Sequence, residues 1–472
     1  MTISRIALTH RWARYALLLV LAASASGPLL SQAPPSASVE ERLARLEKQL
    51  AETRAELIAA KAAAPAAAQD AHLKEIEQKI DVLTREIEAL RLGEAATPVS
   101  TPERYGIGPA AAKVYAKKGV SIGGYGNVLY QNFSSTRQNG QPSGAVDTID
   151  LERVVLYFGY KFSDRFVFNS EIEYEHAVAG EGKKGAVEPE FAYLDWTRSQ
   201  AFNLRGGLVL LPVGLLNEQH EPTTFFGARR NNVERNILPA TWRELGLGTY
   251  GSHGVFAWRA YVVNGLNAAG FTAGNGIRGG RQDGSIAKAE DFAFTARLDA
   301  TPAPGVLVGA AVFTGESAQD LLDSSGQPFG ARTTTWDVHA EYRWRGLTLR
   351  GLYAGVSIGD AAQVNQANGF TGDRSVGSRL EGWYLAGGFD VLSLVPGARM
   401  ALSPFVRYEQ YDTQATVPDG YARNPANDAD LLTIGVQFKP IEQIVLTADW
   451  QKIGNAANTG TNQWNLGLGW IF

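Results

Sequence analysis

The stretch Gln463-Trp464-Asn465-Leu466-Gly467-Leu468-Gly469-Trp470-Ile471-Phe472 alternates with a period of two. Trp464, Leu466, Leu468, Trp470 and Phe472 share one parity, while Gln463, Asn465, Gly467 and Gly469 share the other; Ile471 is the one apolar intruder. Successive strand residues point to opposite faces, so one face is large and aromatic at both ends and the other is small or polar. Hydrocarbon against the aromatic face and water against the other would give a strand of a membrane-spanning barrel. A half-buried strand of a soluble sandwich alternates in the same way, so this stretch alone leaves both readings open.

Upstream, strand-like stretches recur at 120–133, 147–162, 165–176, 187–198, 202–210, 243–251, 255–265, 289–300, 306–314, 333–344, 347–357, 379–390, 398–412, 430–439, 443–452 and 461–472. That makes sixteen, the even number a closed antiparallel barrel requires when both chain ends lie on one side. The connections alternate between short ones, such as Ser163-Asp164 and Arg345-Gly346, and long ones, such as 266–288 and 358–378. Spanning barrels show this asymmetry of tight turns at one end and loops at the other; a sandwich has no reason to. The faces agree. In 333–344, Trp336, Val338, Ala340, Tyr342 and Trp344 oppose Asp337, His339, Glu341 and Arg343; in 165–176, Phe166, Phe168, Ile172 and Tyr174 oppose Asn169, Glu171, Glu173 and Glu175. The predicted fold class is all-β: a transmembrane antiparallel β-barrel of about sixteen strands over 119–472, preceded by a short α-helical coiled coil.

The 472-residue composition fits this reading: 45% hydrophobic, mean hydropathy -0.14, with 51 Gly, 10 Trp and 17 Tyr. Polar lumen residues dilute the lipid-facing ones, so an average hydropathy is compatible with spanning strands. The formal charge of -4 gives no hint of nucleic-acid binding, and the absence of cysteine excludes thiolate metal sites and cysteine nucleophiles. Residues 1–25 read as an export signal, with Arg5, Arg11 and Arg14 before a short apolar core and Ala23-Ser24-Ala25 as cleavage site. Residues 38–92 read as a periplasmic coiled-coil segment. Val39, Leu43, Leu46, Leu50, Thr53 and Leu57 form one seam and Leu73, Ile76, Ile80, Leu83, Ile87 and Leu90 another, broken around Pro65. Whether they run in series or fold back as a hairpin stays open. Residues 93–118, with Pro98, Pro102 and Pro109, read as a linker.

One long connection, 211–242, mixes the apolar Leu215, Leu216, Phe225, Phe226 and Ile237 with many charges. A loop with that many hydrophobes must pack against something, and the expectation is that it folds into the lumen and narrows it. Glu218, His220, Glu221, Arg229, Arg230, Glu234 and Arg235 would then set the field of the constriction. Lumen parity is assigned to Arg153, Arg205, Arg259, Arg297, Arg343, Arg350 and Arg407 and to Glu171, Glu173, Glu175, Glu341 and Glu381.

A coiled coil ahead of sixteen strands, the Pro212-Val213-Gly214 element, the Glu/Arg-bearing loop and the return Arg243-Glu244-Leu245-Gly246-Leu247-Gly248 together resemble the phosphate-selective porin O/P family of bacterial outer-membrane porins. The resemblance covers roughly 116–472. It implies a homotrimeric passive channel in the outer membrane, with the inward loop as constriction and small ions or phosphate as permeant. The C-terminal Phe472 likewise looks like the signal read by the barrel-assembly machinery. Selectivity is open, because over 119–472 the chain has 28 basic against 35 acidic residues, and pore selectivity follows the local ring, not the net charge. An envelope-tethering barrel with a plugged pore and a sugar-preferring porin are the alternatives; the latter would need an aromatic track along the lumen. None of His72, His176, His220, His253 or His339 sits in a nucleophile motif, so the chain reads as no enzyme, and no cofactor or metal is expected.

Overall fold

A computed structural model describes residues 39–62, 76, 79, 80, 83, 105–116 and 118–472. The export signal expected over 1–25, nearly all of the second helical seam and the first part of the expected linker lie outside the described residues. Residues 1–87 and 88–472 form two compact units. In the first, helix α1 (Val39–Ala62) covers the first seam.

The second unit is a closed barrel of sixteen antiparallel strands, each paired with its sequence neighbour, the first with the last. They are β1 (Gly119–Phe133), β2 (Thr148–Lys161), β3 (Phe166–Glu175), β4 (Val187–Thr197), β5 (Asn203–Leu210), β6 (Arg243–His253), β7 (Phe256–Asn264) and β8 (Phe292–Ala303). There follow β9 (Val306–Gly315), β10 (Thr333–Trp344), β11 (Leu347–Ile358), β12 (Arg379–Phe389), β13 (Ala401–Thr416), β14 (Asp428–Ile441), β15 (Ile444–Asn455) and β16 (Gln463–Ile471). Ends differ from the sequence-based expectation by a few residues, as at β8, which starts at Phe292 and runs on to Ala303. Closure places Tyr125 opposite Ile471 and Phe133 opposite Gln463, and Gly124 exchanges both backbone hydrogen bonds with Phe472, at 3.1 and 2.9 Å. Closure leaves no unpaired strand edge.

Tight turns sit at the end that carries both β1's start and β16's end. At Arg345-Gly346 both residues have positive φ, 44° and 85°, the two-residue hairpin geometry that matches strand twist. The faces follow the parity. Trp464, Leu466, Leu468, Val338, Tyr342, Phe292, Phe294 and Leu298 are exposed on the outside, while Asn465, Asp337, His339, Glu341, Thr295, Arg297 and Asp299 are buried within. Polar groups inside and hydrophobes outside reverse the arrangement of a water-soluble barrel.

Of the five places where the strand register shifts, two bear on the lumen. Glu171 pairs with Phe191 and Ile172 with Pro189, which leaves Glu190 as an extra residue of β4. Asn127 pairs with Arg153 and Val128 with Leu151, which leaves Glu152 extra in β2. A bulge re-aims a side chain that strict alternation would send outward, and both glutamates turn into the lumen: Glu190 is fully buried there and Glu152 lines an internal cavity.

Candidate functional site: the lumen and the loop that crosses it

The connection between β5 and β6, residues 211–242, crosses the lumen and is held by strands all around it. Near its start Gly214 N donates to Asp337 Oδ2 on β10 at 2.9 Å, and Arg297 of β8 donates to Gly214 O. Gly214 has φ 65°, and a Cβ there would press on Glu234 and Leu238. Gly214→Val should therefore unseat the loop and cost roughly 1–3 kcal/mol, read as a lowered unfolding midpoint together with faster proteolysis within 211–242. Further along, Glu218 meets Arg259 of β7 at 2.9 Å and Arg297 at 3.7 Å. His220 Nε2 lies 3.3 Å from Glu171 and 2.9 Å from Glu190.

On the opposite wall strand cations grip the loop's backbone carbonyls. Lys439 donates to Thr223 O at 2.8 Å, Arg350 to Thr224 O at 2.5 Å and Arg407 to Phe226 O at 2.5 Å. Ala228 N donates to Asp449 on β15 at 2.7 Å and Asn232 N to Glu409 on β13 at 2.5 Å. Asn232 opens a short helix, α2 (Asn232–Asn236), which Asn231 caps by accepting from Glu234 N. Glu234 itself accepts from Leu216 N at 2.6 Å and from the Tyr384 hydroxyl at 2.8 Å. Leu216 and Ile237 are buried, and Phe226 stacks on Phe405, ring centres 5.4 Å apart.

The seven proposed lumen arginines all face inward, and each stands beside a carboxylate. Arg205 bonds Asp195 at 2.8 Å, Arg259 and Arg297 share Asp299 at 3.1 and 2.8 Å, and Arg407 bonds Glu409 at 2.8 Å. Arg343 meets Glu341 at 2.6 Å and Arg350 bonds the same carboxylate, while Arg153 lies 3.4 Å from Glu152 and 3.6 Å from Glu173. All seven are ion-paired, with Arg343 and Arg350 sharing the one carboxylate of Glu341. The acidic partners Asp195, Asp299 and Glu409, and also Glu190 and Arg243, were absent from the sequence-based set. Several are visible as same-face i,i+2 pairs, such as Arg297/Asp299 and Arg407/Glu409.

The loop arginines differ. A cavity of about 280 Å³ on the long-loop side of the loop is lined by Arg229, Arg230, Arg235 and Arg278, with His220, Arg153 and the carboxylates of Asp150, Glu152, Glu175 and Glu234 around them. Among the described residues no carboxylate oxygen lies within 4.0 Å of Arg229, Arg230, Arg235 or Arg278. Arg278, in the β7–β8 loop, is pushed down to about 9 by burial and by Arg281, Arg235 and Arg230; burial and Arg229 lower Arg235. These are cations repelling one another in a confined space.

The sequence reading made 93–118 a linker, but residues 105–116 lie inside the barrel. They pack beneath the loop against the wall of β1 to β7. Ile107, Ala110, Ala111 and Val114 are buried, with a 3-10 turn at Ala111–Tyr115. Ala110 N donates to Glu221 Oε1 at 3.1 Å, Asn169 donates to Ala111 O at 3.1 Å, and the Tyr115 hydroxyl donates to Asp195 Oδ2 at 2.6 Å. A Cβ on Gly108 would press on the Glu221 carboxylate, so the backbone here lies directly against that side chain. Burial pushes Glu221 up to about 7 against the pull of His220, Ala110 N and the Tyr157 hydroxyl. The receiving wall is aromatic: Tyr125, Tyr157, Phe191 and Tyr193 follow one another with ring centres 6.0, 6.0 and 5.3 Å apart. The lumen thus does hold an aromatic row, covered by this segment.

No family model matches the chain. An uncharacterized protein of Aquifex aeolicus (strain VF5) is 37% identical over 384 residues, covering 79% of this chain and 85% of that protein. Among solved structures, OmpF of Salmonella typhi in complex with daunomycin is 14% identical with a TM-score of 0.51, over 75% of this chain and 97% of that one. The anion-selective porin from Comamonas acidovorans is 13% identical with a TM-score of 0.47, over 75% of this chain and all of that one. The chain belongs to one family with the Aquifex aeolicus protein, and its sixteen strands form a porin-like barrel.

Proposed function

We propose that the protein is an outer-membrane porin through which small hydrophilic anions of the phosphate class diffuse passively, with 211–242 as the constriction. One observation carries the anion preference: Arg229, Arg230, Arg235 and Arg278 face a single cavity with no carboxylate oxygen within 4.0 Å of them, whereas every proposed strand arginine is in an ion pair. A permeant oxyanion entering there relieves the repulsion among them, and guanidinium forks match its oxygens. The outer hydrophobic face would lie in lipid, the tight turns and both chain ends in the periplasm. Assembly as a homotrimer, insertion by the barrel-assembly machinery through Phe472 and the phosphate-selective O/P affiliation belong to the same proposal. Nothing in this reading requires an enzymatic step or a cofactor.

The test is the reversal potential of the purified protein in planar bilayers under a KCl gradient. Arg229→Ala/Arg230→Ala/Arg235→Ala should lower the anion-to-cation permeability ratio by roughly twofold or more, because selectivity follows the local charge ring. An unchanged reversal potential would remove these arginines from the permeation path. A plugged, envelope-tethering barrel is the second reading, favoured by residues 105–116 in the lumen. It is distinguished by a wild-type barrel that conducts no steady current.

A further inference from the structure

We propose that Glu171, Glu190 and His220 form a binding site for one divalent first-row transition ion, best suited to Zn²⁺, which clamps the loop to the barrel wall. The three residues come from three places: β3, the bulge of β4 and the lumen-crossing loop. Each offers a ligand atom, and these atoms lie within 4.8 Å of one another. His220 Nε2 stands 3.3 Å from Glu171 Oε1 and 2.9 Å from Glu190 Oε2. Ligand atoms about 2.1 Å from a shared ion, at tetrahedral angles, lie roughly 3.4 Å apart.

The hydrogen-bond pattern around this imidazole separates a ligand from an ordinary ion pair. His220 Nδ1 lies 3.0 Å from Asn217 O, a carbonyl that only a protonated Nδ1 can satisfy; this leaves Nε2 to face both carboxylates. A single Nε2 hydrogen cannot serve two acceptors well. Glu190 Oε2 makes no hydrogen bond despite its nearness, and Glu171 Oε2 has none either, although both residues are fully buried. Beside them the buried Tyr125 hydroxyl also lacks a partner, its ring centre 5.9 Å from the imidazole. Buried polar groups are nearly always satisfied, and a cation seated among these oxygens would satisfy both carboxylates together.

His339 shows the contrasting case. Its Nδ1 faces Asp337 at 2.6 Å and its Nε2 faces Asp299 at 2.9 Å, one acceptor for each nitrogen. At His220 an ion on Nε2 bonds all three side chains at once, and the carbonyl on Nδ1 fixes the tautomer, the usual outer-shell arrangement of a metal-bound histidine. An imidazole with two carboxylates suits zinc, with a fourth position open to water or a passing anion. The site stands whatever the barrel conducts.

The test uses the full chain, untagged and folded in detergent, stripped with EDTA, loaded with ZnCl₂ and desalted. Wild type should retain about one zinc per chain by elemental analysis and unfold at a higher temperature than the stripped protein. Glu171→Gln/Glu190→Gln should lose both the zinc and the thermal shift, while His339→Gln should keep them. Wild type that retains no zinc, or a double-glutamine variant that retains as much, would overturn the site. If the double variant does not fold, wild type loaded with Co²⁺ decides: the visible bands of tetrahedral coordination support the site and their absence overturns it.

Discussion

Removing residues 105–116 while leaving β1 intact should raise single-channel conductance by roughly twofold, since flux follows the open cross-section of the pore. The segment lies along the inner wall of β1 to β7, nearly half of the sixteen-strand circumference. Its place is set by a few definite contacts: Tyr115 on Asp195, Ala110 N on Glu221, Asn169 on Ala111 O, and Lys161 Nζ on Tyr115 O at 3.0 Å. Ordering twelve residues costs about 1–2 kcal/mol each in backbone freedom. Burying Ile107 and Val114 returns only about 1.5–3 kcal/mol apiece, so the polar anchors must supply much of what keeps the segment down. Tyr115→Ala removes the anchor to Asp195 and also the ring stacked on Tyr105 at 3.7 Å. It should therefore give openings of the larger conductance in a channel that otherwise holds the smaller one. If truncation leaves conductance unchanged, the segment lies beside the ion path and not in it. If neither protein conducts, the barrel is an anchor.

What could be read beforehand follows from how local each signal is. Trp464, Leu466 and Leu468 alternate with Gln463, Asn465 and Gly467, and that contrast needs no tertiary knowledge; it fixed the outer face and, repeated sixteen times, the barrel. The inward parity of Arg205, Arg297 and Arg407 was legible for the same reason. Glu190 was not, because its orientation comes from a bulge, and a bulge depends on register with β3, which no single strand reveals. Ile107, Ala110, Ala111 and Val114 follow helical i, i+3, i+4, i+7 spacing, but over only two turns and across Gly108 and Pro109, too short a pattern to stand out from a linker; they become an apolar face only against a wall made by distant strands. The partners of the arginines lie between these cases. Asp195 stands directly opposite Arg205, and Glu341 opposite Arg350, so such pairs become visible once neighbouring strands are set in register. Whether a lumen arginine is neutralised is therefore a question of register, and parity alone overstates the basic character of the wall.

Asp195→Ala should lower stability by roughly 3–5 kcal/mol, the usual cost of stranding one partner of a buried ion pair. Asp195 is fully buried and Arg205 is 3% exposed. The carboxylate accepts two hydrogen bonds from Arg205, at 2.8 and 3.0 Å, and one each from Tyr115 and Tyr250, both at 2.6 Å. Arg205 lies 3.9 Å from the ring centre of Tyr193 and 4.7 Å from that of Tyr250. Those ring faces stabilise the cation by about 0.5–2 kcal/mol, too little to replace a lost carboxylate. Equilibrium unfolding in urea, from detergent micelles, reads the change as a shifted midpoint. Asp195→Leu/Arg205→Met separates the charge effect from simple damage: with both charges gone no ion is stranded, so the double variant should recover most of the loss. It should still lack the Tyr115 anchor and show the larger conductance. A double variant as unstable as Asp195→Ala would assign the cost to packing around Tyr193 and Tyr250 and not to the uncompensated guanidinium.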